Sequence, residues 1–127
     1  MTDRMETEDE VRAAGGIRLG AQGIRDRLAG QQFLGSYLNG FRYIISINAD
    51  GSLEGMNNYG HYDVGRWSVD DDRHALIVAW QHGWDNTTTR LHALGDEIRM
   101  HDAETGKWRS SLVPVTGEKH DIKNHQF

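Results

Sequence analysis

From residue 31 to residue 113 the chain is cut into short strand-like runs joined by two to five residues, and that spacing constrains the architecture more than any other feature. Eight runs of alternating, β-branched and aromatic residues occupy 32–38, 41–48, 53–58, 62–69, 75–82, 86–94, 97–102 and 107–113. Turn-forming segments such as Asn39-Gly40, Ala49-Asp50-Gly51-Ser52 and Gly95-Asp96 separate them. Parallel neighbours need a crossover of about a dozen residues, and no gap can hold one, so the sheet is expected to be antiparallel. An antiparallel meander of eight strands keeps two bare edges unless it curls shut. The expected fold class is therefore all-β: an up-and-down meander of about eight strands closed into a barrel.

At 127 residues the chain suits one core. Residues 1–16 carry Asp3, Glu6, Glu8, Asp9 and Glu10 and little that is apolar, a composition expected to give a disordered acidic arm. Ile24 and Leu28 are spaced as on one helix face, predicting a short helix over 21–29 that Gly30 stops. The domain organisation expected is thus an arm over 1–16, a helix plus barrel over 17–113, and a polar tail over 114–127. A net charge of −5 and no basic stripe argue against nucleic acid as a partner. No run reaches the ~18 apolar residues of a membrane span, and the acidic start lacks a secretory pattern. As written, the chain is expected in the cytoplasm, without membrane partners, or exported if the sequence is a processed form. Zero cysteines remove disulfides and thiolate chemistry. A homodimer stays open.

Three segments concentrate chemistry. In Gly65-Arg66-Trp67, strand alternation sends Arg66 and Trp67 to opposite faces. Trp67 inward makes a packed core with Arg66 in water. Arg66 inward requires an anion. The segment Asn57-Asn58-Tyr59-Gly60-His61-Tyr62-Asp63 joins two strands where a barrel mouth would lie, which marks Asn58, Tyr59 and His61 as recognition candidates as well as turn formers. In Trp80-Gln81-His82-Gly83-Trp84-Asp85-Asn86, His82 would become a general base if Asp85 held it. The seven histidines are not spaced to share an ion, so neither metal nor cofactor is expected. The first hairpin has two registers. A two-residue turn at Asn39-Gly40 pairs Leu38 with Phe41, whereas a bulge at Gly40 pairs Tyr37 with Phe41 and turns Tyr37 and Tyr43 to one face.

Arg27-Leu28-Ala29-Gly30, Ala49-Asp50-Gly51-Ser52, Gly65-Arg66-Trp67 and Gly95-Asp96-Glu97-Ile98 leading to Ala103-Glu104-Thr105-Gly106 together resemble small bacterial lipocalin-like proteins, the calycin barrels. The resemblance covers most of the chain and implies a barrel with a ligand inside. A narrower one rests on Tyr37-Leu38-Asn39-Gly40-Phe41-Arg42-Tyr43 followed by Gly65-Arg66-Trp67, which is similar to the opening of phenolic acid decarboxylases. It implies Tyr37 and Arg66 on a carboxylate. The family's second tyrosine position falls at Gly35, and its acid-base glutamate falls around Gln81 or His82.

The leading expectation is a domain that binds a small, partly aromatic or apolar molecule, with ligand-binding residues Tyr37, Tyr43, Asn58, Tyr59, His61, Trp67, Trp80, His82, Trp84 and Asp85. The rival is a cofactor-free lyase or isomerase acting on a small aromatic or unsaturated acid, with Tyr37, Arg66 and His82 as its catalytic residues. A structural or partner-binding module is the third.

Overall fold

The computed structural model describes residues 7–127. Among them the chain runs through helix α1 (Glu8–Ala13), strand β1 (Ile17–Arg18) and helix α2 (Ala21–Leu28) before the main sheet begins. The sheet is built from β2 (Gln31–Tyr37), β3 (Arg42–Ile47), β4 (Ser52–Asn57), β5 (Tyr62–Asp70), β6 (Ala75–Trp80), β7 (Thr87–Leu94), β8 (Glu97–Asp102) and β9 (Trp108–Pro114), and a short 3-10 turn, Ile122–Asn124, follows. Every consecutive pair from β2 to β9 is antiparallel, and β9 returns to pair with β2, placing Leu34 opposite Val113 and Tyr37 opposite Ser110. The meander is closed. All eight strands fall within a residue or two of the runs marked by composition. The two-residue β1 was not foreseen, and it pairs Ile17 with Ala93 of β7 beyond the point where β6 stops.

Strand parity explains the filling. Tyr43, Ile45 and Ile47 on β3 and Leu76, Val78 and Trp80 on β6 alternate with residues that face out, and together with Phe33, Leu53, Leu91, Ile98 and Leu112 they form the interior. Helix α2 plugs one end, bringing Ile24 and Leu28 against that cluster. It begins with the Ala21 N–H donating to His74 Nδ1 at 2.8 Å, and it hands over to β2 through Gly30, whose N–H donates to the Ile47 carbonyl at 2.7 Å. Gly30 has φ +78°, the left-handed region where a helix exit favours glycine.

The first hairpin takes the bulged register. The Tyr37 N–H donates to the Phe41 carbonyl at 2.9 Å, and Gly40 sits at φ +79°. Tyr37 and Tyr43 consequently face the same way.

Two terminal segments differ from their reading as solvated chain. Residues 1–6 lie outside the described residues, but the rest of the acidic arm forms α1, started by a capping box in which Thr7 and Glu10 bond reciprocally. Val11 of that helix is 0% exposed, and Glu8 pairs with Arg90 of β7 at 2.7 Å. A single large apolar residue in an acidic hexamer left no periodicity to read. The polar tail after β9 also packs. Gln32 clasps the His120 backbone with its side-chain amide, donating to its carbonyl at 2.9 Å and accepting from its N–H at 2.8 Å. Ile122 is thereby buried on Ile44 and Met56, covering the outer face of β3 and β4. Among the described residues no helix is long and apolar enough to cross a membrane.

Candidate functional site

At the end opposite α2 the interior is not filled. A cavity of about 470 Å³ opens between the β2–β3, β4–β5 and β6–β7 loops. Its walls are mainly rings: Tyr37, Phe41, Tyr43, Tyr59, Trp80 and Trp84. Two glycines make room for them. A Cβ on Gly35 would clash with the Tyr43 ring, 2.1 Å from its Cζ, and one on Gly55 would stand 2.8 Å from the Trp84 ring. Glycine in a strand interior often marks close approach of this kind, and here each one lets an aromatic side chain cross the neighbouring strand. Trp84 then lies tilted against Trp80, with ring centroids 4.6 Å apart and planes at 50°, and meets Tyr43 edge-on at 5.9 Å.

Trp84 is not on a strand. It reaches the cavity because Asp63, inside β5 and 0% exposed, ties down the β6–β7 loop. The Asp63 carboxylate accepts from the backbone N–H groups of His82 at 2.9 Å and Trp84 at 3.0 Å. One buried carboxylate, which also accepts from the Val64 N–H at 2.7 Å and so is satisfied by three amides, thus sets the position of the ring above it.

The polar part of the site centres on Arg109. Between β8 and β9, Met100 pairs with Ser110 and His101 with Trp108, so one step on β8 is matched by two on β9. The extra residue is Arg109. A bulge of this kind breaks alternation and re-aims a side chain, and both Arg109 and Ser110 line the cavity as a result. The Arg109 guanidinium lies over the Tyr37 ring, 5.5 Å from its centroid, and donates to the Tyr37 hydroxyl at 2.5 Å. That hydroxyl in turn donates to Asp85 at 2.9 Å. Carboxylates of Asp85 and Asp102 each stand 3.8 Å from the guanidinium. A second chain runs from Tyr43 to Ser110 at 2.5 Å. Because Ser110 already donates to the Ser36 carbonyl at 2.8 Å, the Tyr43 hydroxyl is the donor in that pair.

Both phenols are therefore fully engaged. The Tyr37 pKa is pushed up to about 12, by burial first and then by the bond to Asp85. Burial pushes Tyr43 up to about 12 as well. Each keeps its proton at neutral pH, which suits a fixed wall and not a base. By contrast, three buried polar atoms on cavity-lining residues have no partner among the described residues: Trp84 Nε1, Thr89 Oγ1 and Arg109 Nε.

Of the residues singled out from sequence, Tyr37, Tyr43, Tyr59, His61, Trp80, Trp84 and Asp85 line the cavity. Four others do not. Trp67 faces inward but lies near the α2 end, packed on the core with its Nε1 donating to the Asn48 carbonyl at 2.8 Å. Arg66 is on the outside, exposed, and reaches the Asp50 carbonyl at 3.2 Å. Asn58 is spent on the hairpin, accepting from the Arg42 N–H at 3.0 Å. His82 is exposed, and Asp85, its expected partner, is held by Tyr37 instead. The trio Tyr37, Arg66 and His82 is thus not assembled: only Tyr37 reaches the cavity. The physical reason is parity, since Trp67 takes the inward position that Arg66 would need.

Residues missed from sequence include Asn57, Thr87, Thr89, Met100, Ser110 and Arg109. The first five follow from strand alternation once register is known. Arg109 does not, because a bulge violates the alternation that would have found it. The chain matches no protein-family model and no curated protein. The closed eight-stranded antiparallel barrel with an added strand is consistent with a calycin-like fold.

Proposed function

We propose that this barrel binds one small molecule with a flat, ring-bearing or apolar body in the cavity at its open end. The observation that supports the reading is the contrast between a tightly filled α2 end and an aromatic-walled space of about 470 Å³ at the other. Ligand cavities typically span ~300–1,000 Å³ and combine apolar walls with a few placed polar groups, and this one has both properties. Rings on the wall favour a flat apolar body through offset and edge contacts. A reaction has less support, since the two cavity tyrosines are protonated donors and the expected base, His82, is turned away.

Titration with N-phenyl-1-naphthylamine, an uncharged dye that brightens on leaving water, tests the proposal. Saturating enhancement at one dye per chain is expected. Thr87→Trp, which adds a ring at the cavity wall, should weaken it at least tenfold. A flat titration, or one indifferent to Thr87→Trp, would refute binding in this cavity.

A further inference from the structure

Outside the cavity, where the tail covers β3 and β4, two histidines come together. His120 and His125 are five apart, a spacing that separates side chains on a helix and sends them to opposite faces on a strand. Neither arrangement applies here, because the 3-10 turn Ile122–Asn124 lies between them and bends the chain back. Their Nδ1 atoms stand 3.2 Å apart, with ring centroids at 5.1 Å.

The fold holds both residues in place. Gln32 clasps the His120 backbone, and buried Ile122 pins the turn on Ile44 and Met56. The His125 N–H donates to the Ile122 carbonyl at 3.1 Å. Its ring meets Phe127 edge-on at 4.7 Å, and the Arg42 guanidinium lies 5.5 Å from the centre of the Phe127 ring. The lysines of this segment have their ammonium groups engaged elsewhere, Lys119 on the Gly30 carbonyl at 2.8 Å and Lys123 over the Tyr62 ring at 5.8 Å.

Two uses of such a pair differ in geometry. A straight N–H···N hydrogen bond at this separation would put the ring centres about 5.5 Å apart. Two imidazole nitrogens on one tetrahedral ion, each ~2.0–2.1 Å from it, stand about 3.3 Å apart, with ring centres about 5.2 Å apart. The rings here are bent off the straight arrangement and match the chelate. Imidazole nitrogens suit zinc, copper and nickel, whereas magnesium and calcium take oxygen ligands. Among the described residues no group of three or more His, Asp or Glu could hold an ion, so water would complete the shell.

We infer that His120 and His125 chelate one divalent transition-metal ion of the zinc and copper kind through their Nδ1 atoms, closing the tail into a ring around Ile122. The ion acts as a clamp on the cover of β3 and β4, because a ligand that prefers the folded chain stabilises it. The site is independent of the cavity reading.

Calorimetric titration of the full chain with zinc chloride at neutral pH should show one ion per chain. His120→Gln and His125→Gln should each weaken binding at least tenfold, and His82→Gln, at an exposed ring elsewhere, should leave it unchanged. Zinc should raise the melting temperature of the native chain but not that of His125→Gln, and magnesium should raise neither. Ring-nitrogen resonances give a measurement that needs no variant: zinc should move the Nδ1 signals of two of the seven histidines. No zinc binding, full-strength binding in either glutamine variant, or movement of other histidines in place of these two would overturn the site. Zinc bound by the pair without a rise in melting temperature would overturn the clamp.

Discussion

Trp67 and Trp84 belong to opposite ends of one barrel, and their indole N–H groups are treated in opposite ways. Trp67 packs on the cluster beneath α2 and gives its proton to the Asn48 carbonyl. Trp84 hangs from a loop, lies tilted against Trp80, and its proton has no acceptor among the described residues. The α2 end is therefore finished for stability, with apolar side chains packed together and the Trp67 donor matched. The open end holds rings in place through Asp63 and two glycines, yet keeps volume and donors uncommitted. Stability and reception are divided along the barrel axis, and the division can be attacked from either side.

The largest effect should come from the filled end. Leu28→Ala deletes a fully buried side chain from α2 and should lower unfolding stability by about 2–5 kcal/mol in urea titration. Trp84→Phe, at the other end, should stay under about 1.5 kcal/mol. Equal losses would end the comparison. Asp63→Ala comes next, because it strands the His82 and Trp84 backbone donors inside the fold, at a cost of about 1–3 kcal/mol. It should also blunt dye binding, since the loop carrying Trp84 loses its anchor. Retention of full binding would mean that the loop is positioned by something other than Asp63.

Acid should act at neither end first, but on the flank under α1. His92 is fully buried there, and its pKa is held below the ordinary 6.5 by burial first, then by Arg12, His101 and Arg18, against an opposing pull from Glu8. The unfolded chain takes up this proton near 6.5 while the folded chain resists it. The contribution is thus whole above that pH and is lost as pH falls below it. Melting temperature should drop between pH 7 and pH 5 more steeply in the native chain than in His92→Gln. Superimposable profiles would clear His92. The smallest effect belongs to Arg66→Ala, an exposed change expected to alter stability by under ~0.5 kcal/mol and to leave dye binding unmoved. Loss of binding there would mean that the outer face of β5 reaches the cavity after all.

What could be read from sequence follows the same division. Strand limits were legible because turn residues and alternation are local signals, and the aromatic cavity residues Tyr37, Tyr43, Trp80 and Trp84 stood out by size. Whether Trp67 and Trp84 were core or cavity was not legible, since both are large rings beside glycines and only their depth along the axis separates them. The α1 cover escaped because its one large apolar residue, Val11, follows three acidic residues and precedes Arg12. Asp63 looked like part of a polar turn, and its burial depends on a loop folding back over it from 19 residues further along the chain.

The bulge at Arg109 has a bearing on how such a cavity could change over generations. In a regular strand, exchanging what faces the interior takes a substitution at each site, and each must pass through a chain that still folds. Here the guanidinium faces inward because β9 carries one residue more than β8 requires between Trp108 and Ser110. Deleting that residue would restore alternation, keep Ser110 opposite Met100 and strip from the cavity wall the only arginine that lines it among the described residues, in a single step. Among descendants of such a barrel, length variation in this one strand would be a short route between a charged interior and a plain apolar one.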